Sequence, residues 1–127
     1  MIKANGISVY QELSEIIEPG HSCLVVWDVQ NGLVDRIFNK EEFMASLKGL
    51  VATLRTKMPI VYTLITPLPR EFQSSWGIYA MMRRFKVKEV DKLPDFMTPG
   101  SRERETLEAV KPAKGDIILD KSAGAFL

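Results

Sequence analysis

Residues 24–34 read Leu24-Val25-Val26-Trp27-Asp28-Val29-Gln30-Asn31-Gly32-Leu33-Val34. The first four are apolar without alternation. A strand that is apolar on both faces belongs in the centre of a parallel sheet, covered by helices on each side. The spacing predicts a strand over 22–28, with Asp28 at its carboxyl end. Ligands of open parallel sheets bind outside the carboxyl ends of the strands. Asp28 is therefore a candidate functional residue by address. The alternative is a carboxylate that caps the loop after the strand.

Reading outward from this stretch gives an alternation of helix and strand, the pattern of an α/β fold. Phe43, Leu47, Leu50, Val51 and Leu54 form the stripe of a helix over 40–57. Asn39 is its expected N-cap, and Met58-Pro59 stops it. The β-branched run 60–65 is the second strand. Residues 116–120 are the third, with Lys121 at its carboxyl end. Right-handed crossovers then give a parallel sheet in the order 3-2-1.

The remaining segments predict a helix over 7–18, from Val9, Leu13, Ile16 and Ile17, ended by Pro19-Gly20. Residues 66–100 read as a long loop interrupted by prolines, with room for a helix over 76–86. A short helix over 101–110 is expected, capped by Ser101.

Composition narrows the function classes. The 127 residues are 46% hydrophobic and 26% charged, with net charge +1. A compact chain of this mass exposes about 7,000 Å². One domain is expected, without bulk electrostatic attraction to nucleic acid. The longest pure apolar run, residues 23–27, is far below the ~20 residues that span a membrane. The start of the chain has no apolar signal segment. One cysteine and one histidine exclude a Cys/His zinc site built from this sequence alone. The expected setting is the cytoplasm, with no nucleic-acid or membrane partner.

Asp28 and Lys121 lie at the same sheet end, two strand spacings apart, roughly 10 Å. A lysine stem can arch over the middle strand between them. Lys121 could instead pair with Asp120 or Asp116. Cys23 starts the first strand, roughly 16 Å from Asp28, and reads as a buried structural thiol. His21 reads as a surface residue, and Arg83, Arg84, Lys86, Lys88 and Lys92 as a solvated basic face. Ser74, Ser75 and Trp76 could line a pocket mouth, and Trp76 could equally anchor the long loop.

The segment Leu24–Val34 resembles the first-strand motif of the isochorismatase-like hydrolases, or cysteine hydrolase superfamily: an apolar run, Asp, one residue, then Gln. The segment from Pro112 to Phe126 resembles a second motif of that family: Pro, Gly-Asp, an apolar strand, Lys, then small residues and an aromatic. Thr98-Pro99-Gly100 is similar to it as well. The resemblance covers the chain from about residue 8. Asp-x-Gln alone is a weak signal, and the two motifs at this separation are fairly specific.

The resemblance implies a three-layer α/β/α Rossmann-like fold with a six-stranded parallel sheet, of which residues 1–127 form a single incomplete domain. It implies an Asp/Lys/Cys triad in which Asp28 and Lys121 are the first two members. The triad cysteine follows the next strand, beyond Leu127, and Cys23 does not match it. The oxyanion hole beside that cysteine is absent with it. Gln30, Leu33, Phe38, Trp76 and Phe126 are the candidate substrate-binding residues. Some members hold a metal through an Asp and histidines after the second strand. Residues 66–70 carry no histidine, so no metal or other cofactor is expected. The implied activity is hydrolysis of a small amide or related molecule. The alternative is a truncated, non-catalytic relative that binds a ligand or partner. In a 3-2-1 sheet the first strand is an edge, yet it lacks the charges and prolines that protect edges. It therefore expects a neighbour, from the family's fourth strand or by formation of a homo-oligomer.

Overall fold

The computed structural model describes residues 1–122. Its first element is a hairpin. Strand β1 (Ile2–Ala4) pairs antiparallel with β2 (Ile7–Val9) across Asn5-Gly6. Both turn residues have positive φ, 52° and 79°. Asn-Gly fits a two-residue turn that needs this conformation twice. The hairpin displaces the first half of the helix expected over 7–18. Only α1 (Leu13–Ile16) is helical, started by a capping box between Glu12 and Glu15.

The main sheet contains β3 (Leu24–Trp27), β4 (Ile60–Ile65) and β5 (Ile117–Lys121), all parallel, in the order β3-β4-β5. This is the predicted α/β architecture and strand order. After β3 comes α2 (Asn31–Val34), then α3 (Lys40–Leu54), close to the predicted helix. Asn39 precedes α3, without a side-chain capping bond. The long connection to β5 carries α4 (Ser75–Phe85), capped by Ser74 Oγ accepting from Gly77 N.

The helix expected over 101–110 does not form. Ser101 supports one turn, accepting from Arg104 N at 3.3 Å, and a short 3-10 turn covers Glu108–Val110. The intervening carbonyls face α2 instead. Asn31 N donates to Glu105 O at 2.9 Å, and Gly32 N donates to Glu103 O at 2.8 Å. A Cβ on Gly32 would sit 3.1 Å from that Glu103 oxygen, which is why this contact needs glycine.

Parallel crossovers taken in one direction along a sheet fall on one face, because each is right-handed. The core reflects this. Val26, Ile60 and Tyr62 of the sheet pack with Val51 of α3 and with Leu107 and Val110 of the second connection. On the other face Val25, Trp27, Ile117 and Leu119 are each 43–54% exposed. The second layer of helices expected there is not among the described residues. The chain exposes 9,159 Å², above the ~7,000 Å² of a compact protein of this mass. Cys23 is exposed, not buried as expected. Its spacing from Val25 and Trp27 puts it on this same uncovered side.

Candidate active site

Asp28 follows the last residue of β3 and adopts φ 50°, a left-handed conformation that non-glycine residues seldom take. Its backbone N–H donates to Thr63 O at 3.1 Å and to Thr63 Oγ1 at 3.0 Å. Its Oδ1 accepts from the Thr63 hydroxyl at 2.7 Å. Its Oδ2 accepts from Lys121 Nζ at 2.6 Å. Thr63 lies in the middle strand, opposite Trp27 on one side and Leu119 on the other. Lys121 is the last residue of β5 and arches across β4 to reach Asp28.

The pair is shielded from water. The Lys121 side chain is 7% exposed and that of Asp28 is 15% exposed. The Lys121 ammonium lies 5.1 Å from the centre of the Trp27 ring, within cation–π range. Desolvating two charges costs about as much as their attraction returns, so a buried ion pair is a weak device for stabilising a fold. Its placement at the ligand-binding end of the sheet is the more informative fact.

Neighbouring carboxylates are engaged elsewhere. Asp120 meets the Arg104 guanidinium and the Thr66 hydroxyl. Burial pushes its carboxyl up, but these two partners outweigh burial and hold it below the usual carboxylate range. Asp116, at the opposite end of β5, pairs with Arg55 at 2.7 Å. The arrangement decides between the two readings of Lys121: its ammonium meets Asp28.

The candidate substrate-binding residues are dispersed. Gln30 is 0% exposed. Its amide nitrogen donates to Ile65 O at 2.9 Å and Arg104 O at 2.7 Å, and its amide oxygen accepts from Ile65 N at 2.9 Å. Gln30 thus ties the end of β4 to the 104 segment, a buried strut with both amide donors committed to backbone. Leu33 is half-buried in α2. Phe38 is fully exposed and lines a shallow hollow together with Ile37 and residues 39–42. Trp76 is largely exposed on α4, against Tyr79. Phe126 lies outside the described residues. Among the described residues, no group of three or more His, Cys, Asp or Glu side chains could hold a metal ion. None of their helices is long and apolar enough to cross a membrane.

Thr63 is the residue that sequence reasoning missed. It sits inside Ile60-Val61-Tyr62-Thr63-Leu64-Ile65, where threonine passes as one more β-branched strand former. The available signal was a hydroxyl in a central strand, where a buried polar group needs a partner.

A family model described as the isochorismatase domain matches residues 22–127. The chain belongs to the isochorismatase family. Solved structures agree on the fold of this family member. N-carbamoylsarcosine amidase from Thermoplasma acidophilum superposes with TM-score 0.56 and 19% identity, covering 80% of this chain and 51% of the amidase. An isochorismatase family protein from Desulfovibrio vulgaris gives 0.58 and 15%, covering 78% and 51%. A pyrazinamidase of Pyrococcus horikoshii, in complex with zinc, gives 0.54 and 14%, covering 79% and 51%. The chain therefore spans about half the length of these relatives. No curated protein matches it.

Proposed function

We propose that this chain supplies the acid–base half of an isochorismatase-family cysteine hydrolase acting on a small amide or related molecule. The observation that carries the reading is the 2.6 Å Lys121–Asp28 ion pair at the carboxyl end of the sheet. Asp28 takes the proton of a thiol: the S–H bond breaks, an O–H bond forms on the carboxylate, and the electron pair stays on sulfur. Lys121 balances the negative charge that the site holds before and after transfer. The thiolate then attacks the carbonyl carbon, and the C–N bond breaks as Asp28 passes its proton to the departing amine. Asp28 next takes a proton from water, the hydroxide adds to the thioester carbonyl, and the C–S bond breaks to release the acid while the proton returns to sulfur. The thiol comes from a cysteine outside these 127 residues, because Cys23 lies at the opposite end of β3. The N-carbamoylsarcosine amidase and pyrazinamidase relatives support an amide as the substrate class.

The test begins with the gene. The reading frame past the Leu127 codon is expected to encode an apolar strand and then a cysteine. The complete product should hydrolyse small amides and lose turnover in Asp28→Asn and in Lys121→Met. A folded complete product whose turnover survives Asp28→Asn overturns the reading. A stop codon after Leu127 favours a ligand-binding module instead.

A further inference from the structure

We propose that Thr63 is a positioning residue for the Asp28–Lys121 pair: its hydroxyl sets the orientation in which the Asp28 carboxylate meets the ammonium. The inference rests on reading that pair as the acid–base centre. A threonine hydroxyl carries one proton and two acceptor lone pairs. Here the proton goes to Asp28 Oδ1 at 2.7 Å, and a lone pair accepts the Asp28 N–H at 3.0 Å. One buried hydroxyl thus grips both the backbone and the side chain of one residue. Left-handed backbone at a non-glycine residue carries strain and persists where the surroundings over-determine it. The Thr63 hydroxyl is one such determinant for Asp28, whose φ is 50°.

The direction of the grip matters. With Oδ1 held by Thr63, Oδ2 is the oxygen left to meet Lys121, and it does so at 2.6 Å. Thr63 itself has little freedom, being 2% exposed in the central strand between Trp27 and Leu119. The sheet requires only a β-branched shape at this position, which valine would supply. The hydroxyl is the part of Thr63 that the fold does not need and the pair does.

The test uses the chain itself and nuclear magnetic resonance. The reporter is the scalar coupling across the hydrogen bond between Lys121 Nζ and Asp28 Cγ. It is assigned by its loss in Asp28→Asn and in Lys121→Met. The coupling is expected in the unaltered chain and in Thr63→Ser, and is expected to vanish in Thr63→Val. Retention in a folded Thr63→Val chain overturns the role of Thr63 and leaves the paired site standing. Absence of the coupling from the unaltered chain overturns the paired site, and the inference falls with it. A second measurement covers the case in which Thr63→Val does not fold. The Thr63 hydroxyl proton of the unaltered chain should give a discrete, slowly exchanging signal with a cross-peak to the Asp28 amide. Rapid exchange of that proton with water overturns the proposal.

Discussion

An ammonium and a carboxylate 2.6 Å apart, with little water around either, are each other's main compensation. Removing one partner leaves the other's charge desolvated without this counter-charge, at a cost of about 3 kcal/mol. Asp28→Asn and Lys121→Met are each expected to lower stability by about this amount in urea unfolding. The double variant should fall well short of the sum, because it strands no charge. Full additivity would show that the two groups do not interact. Cys23 provides a second prediction at this scale. Its exposure means that a thiol reagent should label the folded chain within several-fold of the rate in urea, without unfolding it. Protection of the thiol by orders of magnitude would restore the buried reading. Sequence alone had the address of Asp28 and Lys121, since strand ends can be read from apolar runs. It did not show that Gln30 faces inward, because an Asn or Gln after a strand suits a pocket wall and an internal strut equally. Only the positions of the Ile65 and Arg104 backbones distinguish the two.

The elements at the other end of the sheet are joined by a different polar group. Asp116 opens β5, with a side chain 5% exposed, and meets the Arg55 guanidinium just past α3. The hydrogen bond from Arg55 holds the Asp116 carboxyl below its usual range; burial opposes this, and a bond from Ala113 N adds to it. Arg55 also donates to Tyr62 Oη at 3.3 Å, and Tyr62 donates to Val110 O at 2.6 Å. Helix, strand and connection thus share one network. A carboxyl whose folded pKa is depressed contributes stability above its unfolded value, near 3.9, and loses it as pH falls through the lower folded value. Asp116→Asn is expected to reduce stability by roughly 1–3 kcal/mol at pH 7. The variant and the unaltered chain should converge as the pH is taken below that window. Urea midpoints from pH 7 to pH 2 would measure this, and a gap that stays constant with pH would contradict the assignment. Element prediction succeeded where periodicity was long, as in α3 and β4. It failed where a local bond overrode the pattern. Asn5-Gly6 turned the start of the chain into a hairpin, and the α2 amides took the carbonyls that a helix over 101–110 would have used.

At the scale of the molecule, one sheet face is packed and the other is open. Val25 on β3 and Ile117 and Leu119 on β5 present exposed apolar side chains on that face, on either side of β4. Among the described residues, no strand pairs with the outer side of β3. Exposed edges of this kind template association. The isolated chain is expected to gain mass with concentration in sedimentation and to bind an apolar dye. Val25→Lys should abolish the concentration dependence while leaving the fold intact, since that side chain already faces water. An unaltered chain that stays monomeric at high concentration would contradict the expectation. The open face was partly legible in the sequence: β3 lacks protective charges, and a strand apolar on both faces expects two covering layers.

Asp28 and Lys121 are 93 residues apart in the chain. A ribosome adding about 5–20 residues per second places roughly 5–20 s between them. During that interval β3 and β4 can pair while Asp28 still lacks its cation. Long-range parallel pairing is slow to form, because the loop must close before the contacts reward it. The Asp28–Lys121 ion pair thus forms only when β5 docks. A half-folded chain therefore holds a carboxylate at the mouth of the sheet but no lysine beside it, and the ion pair reports that both crossovers have closed.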